Sequence, residues 1–200
     1  MRVIGGAAKG HRLKSPKGRS LRPTADRVKE ALFNILPHDL SGLRVLDLFA
    51  GTANLTLEAL SRGAREAYLV DASRAAEKTI YKNLQALGFT QKARVWVSPV
   101  LSAIRLLAHR GEKFDLIFVD PPYDKGLVGR VLGDIAREGL LREAGVLVVE
   151  HSGKEEVKES FDSLSLHDQR RYGGTLLSFF GYRHSEHLKN GKGKTWGKLT

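Results

Sequence analysis

The sequence predicts an α/β fold built on a doubly wound, mostly parallel β-sheet. Between residues 41 and 150, five short apolar runs alternate with segments whose apolar residues recur at helical spacing. Helices between consecutive strands act as crossovers, which make the strands parallel. Two later segments, 161–166 and 175–182, alternate like paired antiparallel strands. We therefore expect seven strands, mostly parallel, with an antiparallel last strand.

The first 22 residues are rich in glycine, lysine and arginine and predict a small basic hairpin. Short alternating stretches around Val3 and Leu13 have the pattern of strands. Gly10 or the stretch 16–18 supplies the turn. A poorly ordered N-terminus is the alternative that this composition leaves open.

A helix is predicted next, with Thr24 as its N-cap and Pro37 as its end. Its apolar residues share one face: Val28, Ala31, Leu32, Ile35 and Leu36. The polar face carries Arg22, Arg27 and Lys29. Their spacing fits an extension of a basic surface and a simply solvated face equally well.

The five apolar runs that predict parallel strands are residues 44–50, 66–70, 93–97, 114–119 and 146–150. Start and stop signals for helices lie between them. Ser73 is an N-cap and Gly88 a stop for one crossover helix, and Ser98-Pro99 opens the next. Residues 153–160 predict at most a short polar helix.

The formal charge of +11 is concentrated at the two ends of the chain. Residues 1–40 hold nine lysines and arginines against three acids, and residues 183–200 hold five against one, so the ends carry +6 and +4 and the rest +1. This distribution predicts a basic N-terminal hairpin and helix (1–40), a catalytic domain (41–183) and a flexible basic tail (184–200). Candidate phosphate contacts are Lys14, Arg19, Arg22 and Arg27. A basic surface that serves solubility, or one that meets an acidic protein or a membrane, is the alternative.

Composition excludes several classes of chemistry. The chain has no cysteine, which rules out disulfides, thiolate metal sites and methylation through a covalent thiolate adduct. The histidines show metal-like spacing only at residues 184–187, so we expect no metal site. No apolar run approaches the ~18 residues of a membrane span, and the N-terminus has no apolar signal core. We expect a cytoplasmic monomer without a membrane partner.

The first strand ends in a loop that has the spacing of a nucleotide-binding βαβ unit. Asp47 to Gly51 close the strand, and an acid, Asp71, follows twenty residues after Gly51. The loop has only one glycine, with Ala53 and Thr56 at the later fingerprint positions, so NAD and FAD are disfavoured. A nucleoside without phosphates, such as S-adenosylmethionine, does not require several glycines in the loop. Its ammonium and ribose groups favour nearby acids. Taken singly, each of the two acids also fits a strand-end or helix-capping residue.

The fourth predicted strand ends in Asp120-Pro121-Pro122-Tyr123. Ligands bind at the carboxyl ends of strands in open α/β sheets. A carboxylate, two residues without N–H donors and an aromatic ring suit a planar base that carries an exocyclic amine. The alternative is a strand-terminating turn with an aspartate cap and a core tyrosine.

Four ordered blocks together resemble the family of 16S ribosomal RNA guanine-N2 methyltransferases, the small-subunit rRNA methyltransferase D type. The blocks are Arg22–Phe33, Asp47–Thr52, Glu58–Ala64 and Asp120–Tyr123, and the likeness runs from about Met1 to Tyr182. The resemblance implies a Rossmann-like methyltransferase fold and S-adenosyl-L-methionine as the donor. It also implies that the acceptor is a guanine N2 amine in 16S rRNA, free or in a small ribosomal subunit particle.

The same resemblance implies roles for individual residues. Asp120 and the Pro121 carbonyl are expected to hold the amine, with Tyr123 stacked on the base. The residues expected to contact the donor are Asp47, Phe49, Gly51, Asn54, Asp71 and Ala72. Ser98-Pro99 stands where such enzymes often place an acid near the adenine, so adenine recognition is expected to rest on backbone amides and apolar contacts.

Two other functions remain open from the sequence. A DNA adenine-N6 or cytosine-N4 methyltransferase uses the same Asp-Pro-Pro-Tyr chemistry, although no separate target-recognition domain is visible. A non-catalytic RNA-binding assembly factor is the second, and it would not need the intact acceptor motif.

Overall fold

The structure is a computed structural model that describes residues 1–15, 23–122 and 126–183. The predictions for Arg19, Arg22, Tyr123 and the basic tail at 184–200, including its histidines, fall outside the described residues. Within the described ranges the chain forms five α-helices and eight strands. In chain order these are α1 (Pro23–Ile35), β1 (Arg44–Leu48), α2 (Asn54–Ser61), β2 (Glu66–Asp71), α3 (Arg74–Ala86), β3 (Ala93–Val97), α4 (Val100–His109), β4 (Phe114–Val119), α5 (Leu127–Glu138), β5 (Leu141–Ser152), β6 (Ser160–Phe161), β7 (Leu164–Tyr172) and β8 (Thr175–Tyr182).

The chain divides into two compact units, Met1–Val100 and Leu101–Thr200. In the first unit the strand order is β3-β2-β1, and all three strands are parallel. Asp47 pairs in register with Leu69, and Leu69 with Val95. Because parallel neighbours end at the same edge, the residues that follow β1 and β2 are brought together there.

In the second unit the strand order is β4-β5-β8-β7-β6. Strands β4 and β5 are parallel, whereas β8 is antiparallel to both β5 and β7. Strand β4 is buried along nearly its whole length, as expected for a strand covered on both faces. Its carboxyl end leads directly to Asp120.

The structure confirms the predicted α/β fold with a mostly parallel sheet and antiparallel strands at its C-terminal end. The described residues form eight strands rather than seven, because residues 160–161 form a short extra strand that pairs with β7. Asp162 has a positive φ of 46°, which makes the tight turn between them. Residues 153–159 form turns and irregular backbone rather than the short polar helix considered there, and the strand predicted at 161–166 lies at Leu164–Tyr172.

The predicted N-terminal hairpin is present. Arg2 and Arg12 form an antiparallel bridge, and the Val3 amide donates to the His11 carbonyl at 3.0 Å. The hairpin packs on the end of α2, where the Ala7 amide donates to the Ser61 carbonyl at 2.7 Å. A side chain at Gly6 would place a Cβ 1.8 Å from that carbonyl oxygen, so the close approach requires glycine.

The hairpin and α1 belong to the first unit. The predicted boundaries at residues 40 and 183 stay a prediction. None of the helices that the structure describes combines the length and the apolar character needed to cross a lipid bilayer.

Candidate functional site

The loop between β1 and α2 has an unusual backbone conformation. Phe49 and Ala53 have φ values of 71° and 63°, in the left-handed region that residues with a side chain seldom adopt. Both Phe49 and Ala50 donate their amides to the Val70 carbonyl at 3.0 Å, which ties the loop to β2. Strained backbone of this kind concentrates at ligand-binding and catalytic sites. The loop is therefore the first candidate for a functional segment.

Asp71, at the end of β2, is the acidic residue that the loop encloses. Its Oδ2 accepts the Gly51 amide at 2.9 Å, and its Oδ1 accepts the Ser73 amide at 2.8 Å. A carboxylate oxygen accepts two hydrogen bonds, so each oxygen retains capacity for one further donor. The carboxylate is half-buried and fixed by two backbone amides. Such a group fits the paired hydroxyls of a ribose.

Asp47 occupies a different environment, in the interior at the end of β1. Its side chain is almost completely buried, and its Oδ2 accepts the Thr56 hydroxyl at 2.5 Å. Burial raises the pKa of Asp47 from 3.8 to about 7, opposed by the hydrogen bonds from Thr56 and assisted by the charge of Asp71. A buried carboxyl group with such a pKa is ionised most readily beside a cation. Its chemistry fits the ammonium group of an amino acid ligand.

Asn54, the first residue of α2, is held from the other side of the loop. Its Oδ1 accepts a hydrogen bond from Lys29 Nζ at 2.8 Å, and Lys29 also donates to the Arg2 carbonyl. Lys29 Nζ lies 3.8 Å from Glu58 Oε2, and both side chains are buried. The prediction that Lys29 lies on the polar face of α1 is therefore wrong. The reason is that Glu58 of α2, a buried acid, lies against the face of α1 that was expected to be exposed to solvent.

Sequence reasoning missed Asn83, which joins the N-terminal segment to the same loop. Asn83 is buried on α3, and its Nδ2 donates to the carbonyls of Lys14 and Thr52, both at 3.0 Å. Its Oδ1 accepts the Lys14 amide at 2.8 Å. The signal available in the sequence was a polar residue next to Leu84 on the otherwise apolar face of α3.

Several other predicted site residues are placed by the first unit. Phe49, two residues before Gly51, is half-buried, and Ala72, immediately after Asp71, is exposed. Lys14 and Arg27 are exposed, as a contact with phosphates requires. Asp47, Gly51 and Asp71 lie together at the ends of two adjacent parallel strands.

The second unit places Asp120 directly after the buried strand β4. Phe118 and Val119 are buried, whereas Asp120 is exposed and Pro121 is buried again. The aspartate is thus not covered by core side chains. With a carboxylate and a proline carbonyl at the carboxyl end of a parallel strand, this corner can accept hydrogen bonds from an amine.

Comparison with known proteins identifies relatives along most of the chain. The family described as "Conserved hypothetical protein 95" matches residues 1–181. YlbH of Bacillus subtilis, which is provisionally named an rRNA methyltransferase, is 38% identical over 183 residues, covering 92% of this chain and 100% of YlbH. Ribosomal RNA small subunit methyltransferase D of Escherichia coli is 36% identical over 173 residues, covering 86% of this chain and 85% of that protein.

Solved structures share the fold. A provisionally named methyltransferase, yhhF from Escherichia coli, superimposes with a TM-score of 0.78 at 35% identity, covering 91% of this chain and 97% of that one. SMU.776, provisionally named a methyltransferase and solved in complex with SAH, superimposes with a TM-score of 0.64 at 15% identity, covering 80% of this chain and 50% of that one. The SAM-dependent methyltransferase from Agrobacterium tumefaciens superimposes with a TM-score of 0.60 at 22% identity, covering 85% of this chain and 66% of that one. These two structures show that the fold is the same.

Proposed function

The chain belongs to the Conserved hypothetical protein 95 family, and on that premise we propose that it is an S-adenosylmethionine-dependent rRNA methyltransferase. We propose further that it methylates the exocyclic N2 amine of a guanine in 16S rRNA of the small ribosomal subunit. The observation that carries the proposal is the contact between the Gly51 amide and the Asp71 carboxylate in the strained loop after β1. The similarity to ribosomal RNA small subunit methyltransferase D supports the choice of substrate.

The first unit supplies the residues that would hold the donor. Asp71, with one lone pair available on each oxygen, would receive the ribose hydroxyls, and Asp47 would face the ammonium group. Gly51, with φ at 56° and no side chain, allows the ligand to approach the backbone. Phe49, Asn54 and Ala72 complete the expected set. When bound, S-adenosylmethionine supplies an electrophilic methyl group.

The second unit supplies the residues that would hold the acceptor. The lone pair of a guanine N2 amine is delocalised into the ring, so the amine is a poor nucleophile. Asp120 and the Pro121 carbonyl would accept its two N–H groups, which orients the nitrogen and increases its electron density. The Asp120 carboxylate would accept the proton that the methylated amine releases. Tyr123 is proposed to stack on the base, which must be unpaired or flipped out of its helix.

Exposed cations would bind the rRNA backbone. Lys14 and Arg27 are exposed. Arg19 and Arg22, which lie outside the described residues, are proposed for the same role. Such contacts position the RNA without reading its sequence.

The test is incubation with labelled S-adenosylmethionine and small-subunit particles that lack the modification, followed by nucleoside analysis of the RNA. We expect label in N2-methylguanosine of 16S rRNA. Label in another nucleoside would refute the N2 assignment while retaining rRNA methylation. A parallel incubation uses DNA in place of the particles, and label in its adenine or cytosine, with none in the RNA, would replace the proposal by the DNA alternative. Donor binding without transfer to any nucleic acid would favour the non-catalytic assembly factor.

A further inference from the structure

Helix α3 presents a row of cations to solvent. Arg74, Lys78 and Lys82 are all exposed and are separated by four residues, so they lie above one another on one face of the helix. The opposite face, with Ala76, Ile80 and Leu84, is buried. We name the three cations the α3 stripe.

The α3 stripe does not stabilise the helix that carries it. Like charges four residues apart repel each other, and the stripe contains two such pairs. Arg74 is also the first residue of the helix, where the helix dipole disfavours a positive charge. The favourable feature of this end is instead the N-cap Ser73, whose hydroxyl accepts the amides of Ala75 and Ala76. Removal of the stripe charges should therefore leave the helix intact.

No acidic side chain in the described part of the chain forms an ion pair with any cation of the stripe. Exposed arginines in the second unit behave differently: Arg137 lies 2.5 Å from Asp134, and Arg170 lies 2.9 Å from Asp168. The one acid on α3, Glu77, is half-buried on the flank of the helix. The stripe thus keeps its full positive charge available for a partner.

The stripe adjoins the N-terminal basic segment. Lys82 immediately precedes Asn83, and Asn83 holds the backbone of Lys14 on the edge of α3 by two hydrogen bonds. At 100° per residue, the helix surface runs from Asn83 to Lys82 and then to Lys78. The exposed Lys14 is therefore held beside α3, next to the Lys82 end of the stripe.

An aromatic side chain lies next to the α3 stripe. Tyr81 is 43% exposed, which is high for a large apolar ring, and it is three residues after Lys78. Exposed aromatic rings among cations are typical of surfaces that contact single-stranded RNA, because unpaired bases stack on them.

We propose that the α3 stripe, together with Tyr81 and Lys14, binds the sugar–phosphate backbone of an RNA, in a region outside the nucleotide that is methylated. The stripe contacts phosphates and Tyr81 stacks on an unpaired base. This inference rests on the proposed function, since it supplies a docking surface for the rRNA substrate. A polyanion is the partner that three uncompensated cations at helical spacing match in charge.

The test compares a triple variant, Arg74→Gln/Lys78→Gln/Lys82→Gln, with a control of equal charge, Arg130→Gln/Lys154→Gln/Lys158→Gln. The control cations are exposed and belong to the second unit. The probe is 16S rRNA, bound at several salt concentrations. For the stripe variant we expect an affinity at least about tenfold lower, and a salt slope smaller by about two to three, because each lost phosphate contact removes ~0.7 to 0.9. Thermal unfolding and donor titration should match the wild type.

Further variants separate charge from structure. Lys78→Arg/Lys82→Arg keeps the charge and should retain wild-type affinity, whereas Lys78→Gln alone should lower the slope by about one. Tyr81→Ala should weaken binding without changing the slope, and unchanged binding would overturn the role of Tyr81. If the stripe variant binds RNA as the control does, the proposal is overturned, even where the wild type transfers methyl groups. A wild type that binds RNA through the stripe but transfers nothing would refute the proposed function alone.

Discussion

Asn83 and Lys14 make two hydrogen bonds with each other across 69 residues of sequence, one in each direction. The same Asn83 amide also donates to the Thr52 carbonyl in the loop after β1. One buried side chain therefore fixes both the end of the N-terminal hairpin and the loop proposed to hold the donor. The proposed RNA-binding segment and the proposed donor site consequently share a support.

Asn83→Ala should weaken donor binding as well as folding. The change leaves two carbonyls and one amide without a partner, and each buried polar group left unsatisfied costs about 1 to 3 kcal/mol. We expect lower unfolding free energy in denaturant titrations and weaker donor affinity by calorimetry. Gln85→Ala, at an exposed position on the same helix, is the control and should change neither. Donor affinity equal to the wild type in a destabilised variant would show that Asn83 does not position the loop.

Asp47 gives the fold a specific pH dependence. Because its pKa is about 7 in the folded protein and near 3.8 when unfolded, the unfolded chain loses its proton first as pH rises. The contribution of Asp47 to stability is thus complete below about pH 4, declines up to about pH 7 and stays lost above it. Asp47→Asn should remove the decline and raise the unfolding free energy at pH 8 by about 2 to 4 kcal/mol.

The contrast for this experiment is Asp39, whose pKa is lowered by hydrogen bonds from Ser41. Asp39→Asn should lower stability at neutral pH and have little effect below the pKa of the folded carboxyl group. Denaturant titrations between about pH 2 and pH 8 measure both variants. Equal curves for wild type and Asp47→Asn at pH 8 would contradict the raised pKa.

The fold was largely accessible from the sequence because its signals are local. Apolar runs, an N-cap at Ser73 and a stop at Gly88 placed the strands and helices near their observed bounds. The buried polar contacts were not accessible, because partners such as Lys29 and Glu58 lie 29 residues apart and no local rule pairs them. The short strand β6 was missed for a related reason, since two residues carry no periodicity. The acid pair at Asp47 and Asp71 was predictable because strand-end positions converge in a parallel sheet.

Asp71→Asn should weaken donor binding while the loop stays folded. The oxygen of the new side-chain amide still accepts one of the two backbone N–H groups. The NH2 group replaces the second carboxylate oxygen and therefore faces the other backbone N–H group, donor against donor. A hydrogen bond to a charged group contributes about 1.5 to 3 kcal/mol, so we expect an affinity about ten- to a hundredfold lower. Glu77→Gln removes the same charge nearby and should bind donor normally. Undiminished affinity of the Asp71 variant would exclude this carboxylate from the donor site.

Asp120→Ala should abolish transfer and leave donor binding nearly unchanged. The carboxylate is proposed to hold only the acceptor amine, so its loss should lower kcat by at least about a hundredfold. Asp115→Ala, on the strand β4 that precedes Asp120, removes an acid that pairs with Arg142 at 3.3 Å and serves as the control. Single-turnover transfer assays and donor titrations measure the two effects. Wild-type turnover by Asp120→Ala would remove the catalytic assignment.

The buried charges beneath the hairpin predict an unequal response to substitution. Glu58 accepts the Ile4 amide at 2.8 Å, pairs with Arg62 at 2.9 Å and lies 3.8 Å from Lys29. Removing one partner of a buried ion pair leaves the other charge buried without a partner, which costs about 3 to 5 kcal/mol. Glu58→Gln leaves two cations, Lys29 and Arg62, without their acid. Lys29→Met still leaves Glu58 paired with Arg62. Burial already lowers the pKa of Lys29, so this cation tolerates the loss of its acid poorly.

We therefore expect Glu58→Gln to lower the unfolding free energy more than Lys29→Met does. The double variant should lose less unfolding free energy than the two single variants lose together, because the lysine that Glu58→Gln leaves without its acid is then absent. Denaturant titrations of the two single variants and the double variant give the interaction energy directly. A larger effect for Lys29→Met would mean that the hydrogen bonds from Lys29 to Asn54 and the Arg2 carbonyl, rather than the charge of Glu58, fix the hairpin on α2.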